Sequence, residues 1–375
     1  MRCRGAAGPR SPEKIRCIVA SSCHSLRPRR AGGQALTETP TRPAPRARAT
    51  LRTVAAATGL AVTTVSRALA NDPRIAAATR ALVAEAARLQ GYVPDRAAQR
   101  LRTGRTKVVQ LLLNLDHEFL GVAQDMIGGI SQALAGTGYS VTIFPDILRS
   151  DRLAAVRQIV ENRLGDGLIF NRTEPFDPRV RYLSEQGFPF VCHGRTEFVT
   201  PHPFVDYDNE SFARQALARL VAKGRERVLI VLPPARYTFH QHLRYGVVSA
   251  ARAAGITWEI PETVTLDTPP DETVEWMKGR LAAPDRPDGI ICVGEVAAIG
   301  ALAAVADSGL RLGQDIDIVA KRASAIFGLL RPRIDTMFED LRETGRAMGE
   351  TLLRSMAGEP PETLQILHAP KVEFD

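Results

Sequence analysis

Residues 50–69 read TLRTVAAATGLAVTTVSRAL, and their spacing predicts two short helices joined by a tight turn. Val54, Ala55 and Ala57 put small apolar side chains on one helical turn, and Gly59 permits the positive φ of a turn. Leu60, Val65 and Leu69 then restore an apolar stripe at helical spacing. The other positions of the second helix carry Thr63, Thr64, Ser66 and Arg67. Short hydroxyl side chains with one guanidinium suit hydrogen bonding to base edges and phosphates in a DNA major groove. An ordinary αα-hairpin with a polar outer face shows the same pattern, so the stretch alone leaves both readings open.

The residues that follow favour the first reading. Asn71, Asp72 and Pro73 predict a turn, and Ile75 to Gln90 an Ala-rich helix with Leu82, Val83, Ala86 and Leu89 on one face, ended by Gly91. Three helices then make one small domain, expected over 50–93. In GYVPDRAAQRLRTGRTK, residues 91–107, Pro94 and Asp95 open a short helix running to Leu101, ahead of the basic Arg102, Arg105 and Lys107. Residues 94–106 are expected to be a hinge helix and linker.

On TLRTVAAATGLAVTTVSRAL, on Gly91-Tyr92-Val93-Pro94 and on RAAQRLRTGRT, the chain resembles the LacI/GalR family of bacterial repressors. The resemblance runs from Thr50 to the C-terminus. It implies Val62, Thr63 and Arg67 as the main major-groove readers, with Thr50, Leu51, Thr64, Ser66, Asn71 and Arg96 among the DNA-contacting residues. It also implies that Leu101 levers into a minor-groove step with Ala98 beside it, an unstacking that costs a few kcal/mol and is offset by the contacts of bent DNA. Two positions depart from the family. Ala61 stands where a serine usually caps the recognition helix, a loss of about 1 kcal/mol, and Thr53 stands where an acidic residue is often found.

Charge divides the chain in the same way. Residues 1–49 carry a net charge of +9, residues 50–107 +7, and the remainder −8. A basic module on an acidic body is expected where one part approaches phosphates and the other does not. The first 49 residues are rich in Arg, Pro, Ser and Ala without sustained periodicity, which predicts a disordered basic tail. A start codon downstream of this tail is the alternative, and a nonspecific DNA-binding arm its expected use if translated. Ile15 to Ala20 is too short for a signal peptide core or a membrane span. Cys192 and Cys292 sit in apolar runs without a CxxC or a neighbouring His pair, so reduced buried thiols are expected, and no metal or other cofactor.

From Lys107 onward, apolar strand-like runs alternate with helical ones: VVQLLLNL, YSVTIFP, DGLIFN and FPFVCHG in a first cycle; RVLIVLP, a strand after Pro261, DGIICVG and DIDIVAK in a second. Repeated βα units imply doubly wound parallel sheets, and a body of about 270 residues exceeds one typical domain. The fold class expected is therefore a small all-α helix-turn-helix domain plus an α/β body of two parallel-sheet lobes. Through its family resemblance that body is periplasmic-binding-protein-like, which implies three chain crossings between lobes. These are placed near Asp206, near Lys321 to Arg322 or somewhat later, and near Glu359. The first lobe is thus expected over about 107–205 and 340–357, the second over about 206–339 and 358–375, with LQILHAPKVEF finishing the second.

Ligands of such sheets sit at the carboxyl ends of the strands. The polar residues there are Asp116, His117 and Phe119; Asn171 and Arg172; His193 and Arg195; Asp206 and Asp208; His240 and His242; Glu295; and Lys321. Asp116, Phe119, Asn171, Arg195, Asp206, His242, Arg244, Glu295 and Lys321 are the effector-site candidates. Planar polar groups and an apolar ring, here Phe119, Tyr237, Phe239 or Trp276, suit a sugar. Leu243 stands where the family often has an arginine, with His242 and Arg244 beside it, and Glu295 where it usually has an aspartate. No GxGxxG after the first strand, no phosphate loop, no GxSxG and no metal-spaced cluster marks an enzyme.

The reading is a cytoplasmic, homodimeric transcription regulator, expected to be a repressor acting on pseudo-palindromic operator DNA under control of a mono- or oligosaccharide. The outer helices Gly121–Ala135 and Arg342–Met356 are the expected dimer surface. Co-repression or activation by the effector is an alternative, and a sugar-active α/β enzyme a further one.

Overall fold

The computed structural model describes residues 49–93, 95–113, 122–145 and 151–374, in two compact units that divide between Tyr92 and Val93. Asp116, His117 and Phe119, and all but the last residue of the basic tail, lie outside the described residues. The first unit holds α1 (Leu51–Thr58), α2 (Val62–Leu69) and α3 (Ala77–Leu89). Thr50 caps α1: its Oγ1 accepts the Thr53 amide at 3.3 Å, and Thr53 Oγ1 accepts the Thr50 amide at 3.0 Å. The threonine that replaces an acidic residue thereby completes the same reciprocal cap. Gly59 ends the helix at φ 67°.

Val54, Ala55, Val65, Ala68, Val83 and Ala87 form the core of this unit. The expected apolar face of α3 is corrected: Leu82 and Leu89 are 54% and 71% exposed. The core is shallow and filled by small residues, so the close approach of α3 goes to the Val83/Ala87 side, and the two longer leucines turn outward. Ala57 is exposed for the same reason.

The second unit opens with α4 (Arg96–Thr103) and contains two six-stranded sheets. The first sheet consists of β1 (Val108–Leu113), β2 (Ser140–Pro145), β3 (Gly167–Phe170), β4 (Phe190–His193), β5 (Phe204–Tyr207) and β11 (Gln365–His368), in the order β11-β5-β4-β3-β1-β2. The second consists of β6 (Arg227–Val231), β7 (Thr257–Glu259), β8 (Gly289–Cys292), β9 (Asp317–Arg322), β10 (Asp335–Phe338) and β12 (Lys371–Glu373), in the order β12-β10-β9-β8-β6-β7. Among the described residues only β12 runs antiparallel to its neighbour. Runs such as Leu111–Leu113 and Gly167–Phe170 are buried throughout because helices cover both faces.

Helices α5 (Val122–Leu134), α6 (Ala154–Glu161) and α7 (Pro178–Glu185) belong to the first lobe, and α8 (Asn209–Ala222), α9 (Thr238–Ala254), α10 (Pro270–Leu281) and α11 (Glu295–Asp307) to the second. α12 (Leu341–Met356) returns to the first lobe and packs against α5. Their backbones approach so closely that a Cβ on Gly129 would lie 2.0 Å from the Arg342 carbonyl oxygen, and one on Gly345 2.2 Å from that of Met126.

Lys321 and Arg322 close β9 inside the second sheet, a further strand, β10, follows, and the chain returns to the first lobe at Glu339–Asp340. Other expectations are corrected. LQILH does not finish the second lobe: β11 pairs with β5 in the first sheet, and only Lys371–Glu373 joins the second. The third crossing therefore lies at Ala369–Pro370 rather than near Glu359. β7 precedes Pro261 instead of following it. β5 and β10 had no reading as strands, since four residues each, with Asp206 or Asp335 among them, give too short and too polar a run.

Candidate DNA-binding unit and interlobe cleft

On α2, Val62 and Thr63 are exposed, and Thr64 and Ser66 half-buried. Ala61 supplies no side-chain cap, so the first amides of α2 point outward without one. Arg67 Nε donates to Asp72 Oδ2 at 2.9 Å, and Asp72 also accepts the side chain of Arg74. The hydrogen bonds from Arg74, then Arg67, hold the Asp72 carboxyl below the usual range. Asn71 turns the chain in the left-handed region at φ 56°. Thr50 serves the α1 cap, and Leu51 packs against the core.

In the second unit, α4 carries Arg96 as its first residue and presents Ala98 and Leu101, the latter 90% exposed. An apolar side chain held out this far on a short helix has the form a base-step wedge requires. The helix is tied to the first lobe. Arg100 Nη2 donates to the Arg163 carbonyl at 3.0 Å beyond the end of α6, and the Asp166 carboxylate accepts the amides of Thr106 and Lys107 at 2.7 and 2.9 Å.

Between the lobes lies a cleft with a cavity of about 140 Å³. Asn171, Asp206, Glu295 and Lys321 line it, together with Phe239 as the apolar surface. Arg195 and His242 stand just behind: Arg195 Nε lies 3.5 Å from both Asp206 Oδ2 and His242 Nε2. Arg244 is exposed on α9 and does not line the cleft; Leu243, one residue earlier, takes the buried face. Trp276 packs into the core under α10, His240 is tied to the Pro233 carbonyl at 2.6 Å, and Asp208 caps α8. Tyr237 is fully buried beside the cleft, not in its wall.

The electrostatics of this cleft follow from burial. Asp206 Oδ1 accepts the Tyr207 amide, while its Oδ2 makes no hydrogen bond among the described residues. Burial pushes the Asp206 carboxyl up, against the opposing pull of His193, Arg195 and His242. Burial, then Arg195, lowers His242. Glu295 Oε1 accepts the amides of Ala323 and Ser324 at 2.9 and 2.7 Å, leaving its buried Oε2 without a hydrogen-bond partner among the described residues. Each lobe thus contributes to the lining of the same cavity one acidic residue with a buried carboxylate oxygen that makes no hydrogen bond among the described residues. Burial also works against Glu339, yet Lys321 at 2.8 Å and His193 at 3.5 Å outweigh it and hold the carboxyl at about 2.

Thr173, Asn209, Leu266, Arg322, Glu339 and Leu341 also line the cleft and escaped the sequence reading. Glu339 follows the unread strand β10, so no strand end pointed to it. Arg322 could have been found, since it closes β9 beside Lys321. Among the described residues no group of three His, Cys, Asp or Glu side chains could hold a metal, and no helix is long and apolar enough to cross a membrane.

A helical hairpin with a polar outer face, a short helix offering a leucine, and two parallel-sheet lobes around a polar cleft define a DNA-binding regulator with a ligand-binding body. The comparisons agree. The model for bacterial regulatory proteins of the lacI family matches residues 50–95, and that for a periplasmic binding protein-like domain matches residues 217–373. The chain thus joins a lacI-type helix-turn-helix region to a periplasmic-binding-protein-like domain, and it is similar to chains named as HTH-type transcriptional regulators. It is 29% identical to the HTH-type transcriptional regulator AglR of Rhizobium meliloti, over 82% of this chain and 87% of that one. With RafR of Escherichia coli the identity is 28%, over 85% and 96%. Among solved structures, a CelR–cellobiose complex shares 26% identity with a TM-score of 0.60, covering 87% of this chain and 98% of that one. The lac repressor dimer bound to operator and the anti-inducer ONPF shares the fold, with a TM-score of 0.73 and 21% identity over 87% and 98%.

Proposed function

We propose that the protein is a homodimeric, cytoplasmic repressor whose operator affinity is set by a sugar bound between its lobes. The observation that carries this reading is the cleft, whose wall includes Asp206 from one lobe and Glu295 from the other, each with a buried carboxylate oxygen that makes no hydrogen bond among the described residues, beside Phe239. Such acceptors favour a ligand rich in hydroxyl donors, and the ring offers its apolar face to a pyranose. That a similar chain is described in complex with cellobiose supports a di- or oligosaccharide. Residues 50–93 read DNA through Val62, Thr63 and Arg67, residues 94–106 form the hinge, and two copies read two half-sites. Closure of the lobes on the sugar separates the paired α4 helices and withdraws Leu101. A hundredfold change in operator affinity then needs a coupling of about 2.7 kcal/mol, within the ordinary allosteric range.

The test is selection of DNA from a random pool by the purified protein, repeated with cellobiose, raffinose and maltose. A pseudo-palindromic site released by one sugar supports the reading. Tighter binding with sugar makes the effector a co-repressor, and turnover of a sugar without DNA selection overturns the proposal in favour of an enzyme.

A further inference from the structure

Around Tyr237 the two lobes are joined by contacts that involve no ligand. Arg172, which follows β3 in the first lobe, reaches across so that its Nη1 lies 2.7 Å from Asp267 Oδ1 in the second lobe and 3.4 Å from the Tyr237 hydroxyl. Both charged groups are largely buried, at 8% and 16% side-chain exposure. Beside them Arg236 Nη2 donates to the Tyr237 hydroxyl at 2.6 Å and approaches the other Asp267 oxygen at 3.4 Å. The Thr238 amide, at the start of α9, donates to the Thr173 carbonyl at 2.9 Å across the same gap. Tyr237 is stacked among guanidinium groups of both lobes, Arg152 and Arg172 from the first and Arg236 from the second.

The first-lobe side of this contact is pre-set. Arg172 sits in the left-handed region at φ 56°, a conformation that an arginine holds only when its surroundings enforce it. Its carbonyl accepts from Arg152 Nη2 and Arg179 Nη2, each at 3.0 Å, and the buried Arg179 is itself anchored on the fully buried Asp177 at 2.7 Å. The backbone from which the Arg172 side chain departs is thereby held in place, and the guanidinium itself is held by Asp267 and the Tyr237 hydroxyl. Arg172 also lines the ligand cavity, whereas Asp267 does not.

We propose that Asp267 is a positioning residue for the effector site. By pairing with Arg172 across the gap it latches the lobes in the closed form and fixes one wall of the cavity before any ligand arrives. A ligand that binds the closed form gains affinity from this latch, because part of the closing cost is already met. The proposal rests on the cleft being the effector site, and its test has one arm that does not.

In the full chain, with Cys3, Cys17 and Cys23 changed to serine, spin labels are placed at Ser184 in the first lobe and Glu272 in the second, both exposed. Without ligand, Asp267→Asn and Asp267→Ala are expected to lengthen and broaden the interlobe distance distribution, while Asp267→Glu keeps it near the parent's. Distributions for Asn and Ala that overlay the parent's overturn the latch. If Ala impairs folding, seen in circular dichroism and melting, the isosteric Asn at this loop position decides. In the second arm cellobiose and raffinose are titrated calorimetrically. For a sugar that binds the parent, Asp267→Asn is expected to weaken affinity about tenfold or more; an unchanged affinity overturns the positioning role. If neither sugar binds the parent, the reading of the effector class is at fault, and the distance measurement alone settles the latch.

Discussion

The Lys321 ammonium lies 2.8 Å from the Glu339 carboxylate, and this pair occupies the place where the chain passes from the second lobe back to the first. Lys321 also donates to Asn209, which opens the helix following the first crossing. Three segments at the hinge are thereby held by one cation. Because Glu339 is 9% exposed in its side chain, its removal leaves Lys321 without its carboxylate in a poorly solvated place.

Glu339→Gln is accordingly expected to cost about 3 kcal/mol of folding stability at neutral pH. The sign of the pH dependence follows from the direction of the shift. The folded carboxyl titrates at about 2, below its ordinary 4.5, so its stabilisation is fully present above 4.5 and is lost as pH falls toward 2. Denaturant titrations of parent and variant across this range are expected to converge toward the acid end. A gap that stays constant down to pH 2 contradicts the assignment.

Gly129→Ala and Gly345→Ala test the contact of α5 with α12. Each added Cβ meets a carbonyl oxygen of the facing helix at 2.0 or 2.2 Å, and backbone cannot yield as a side chain can. Destabilisation of about 3 kcal/mol is expected for either, at the upper end of ordinary overpacking. Thermal melting measures it, and Gly136→Ala, where nothing lies within 4 Å but φ is 76°, provides a control for backbone strain alone.

Leu101→Ala tests the wedge. Leu101 is 90% exposed and supports no core, so stability is expected to stay within about 0.5 kcal/mol of the parent. Specific operator binding, measured by fluorescence anisotropy at fixed salt, is expected to weaken at least tenfold, with nonspecific binding nearly unchanged. Unaltered operator affinity removes α4 from the recognition mechanism.

These residues show what a sequence discloses and what it conceals. The helical hairpin at Thr50–Leu69 and the long strands such as Val108–Leu113 are written in local periodicity, which is why the two lobes could be read. Asn171, Asp206, Glu295 and Lys321 were reachable because strand ends in parallel sheets face the cleft. Glu339 and the β11 crossing were not, because the short β10 carries Asp335 and Thr336 among its four residues, and the sheet that β11 joins is decided by its pairing with β5 and not by its own sequence. Arg244 was misplaced for a related reason. One step along α9 rotates a side chain by about 100°, and only the packing of Leu243 at 0% exposure decides which face turns inward. The Arg172–Asp267 pair spans 95 positions in sequence and has no local signature.

Ala61→Ser addresses the weakest point of the recognition helix. α2 is eight residues long and starts without a side-chain cap, whereas α1, of the same length, is closed by the reciprocal Thr50 and Thr53 bonds. A serine at 61, where the backbone is already extended at φ −64° and ψ 144°, can accept a free amide of the first turn. The substitution is expected to raise the stability of the first unit by about 1 kcal/mol, read as a higher midpoint of its transition in calorimetry of the full chain. If the uncapped amides instead meet a DNA phosphate, the serine competes for them, and operator affinity falls while the unit becomes more stable. A stabilised unit with unchanged affinity assigns the missing cap to packing alone; a fall in both quantities shows that Ala61 is required for the fit of α2 against α1.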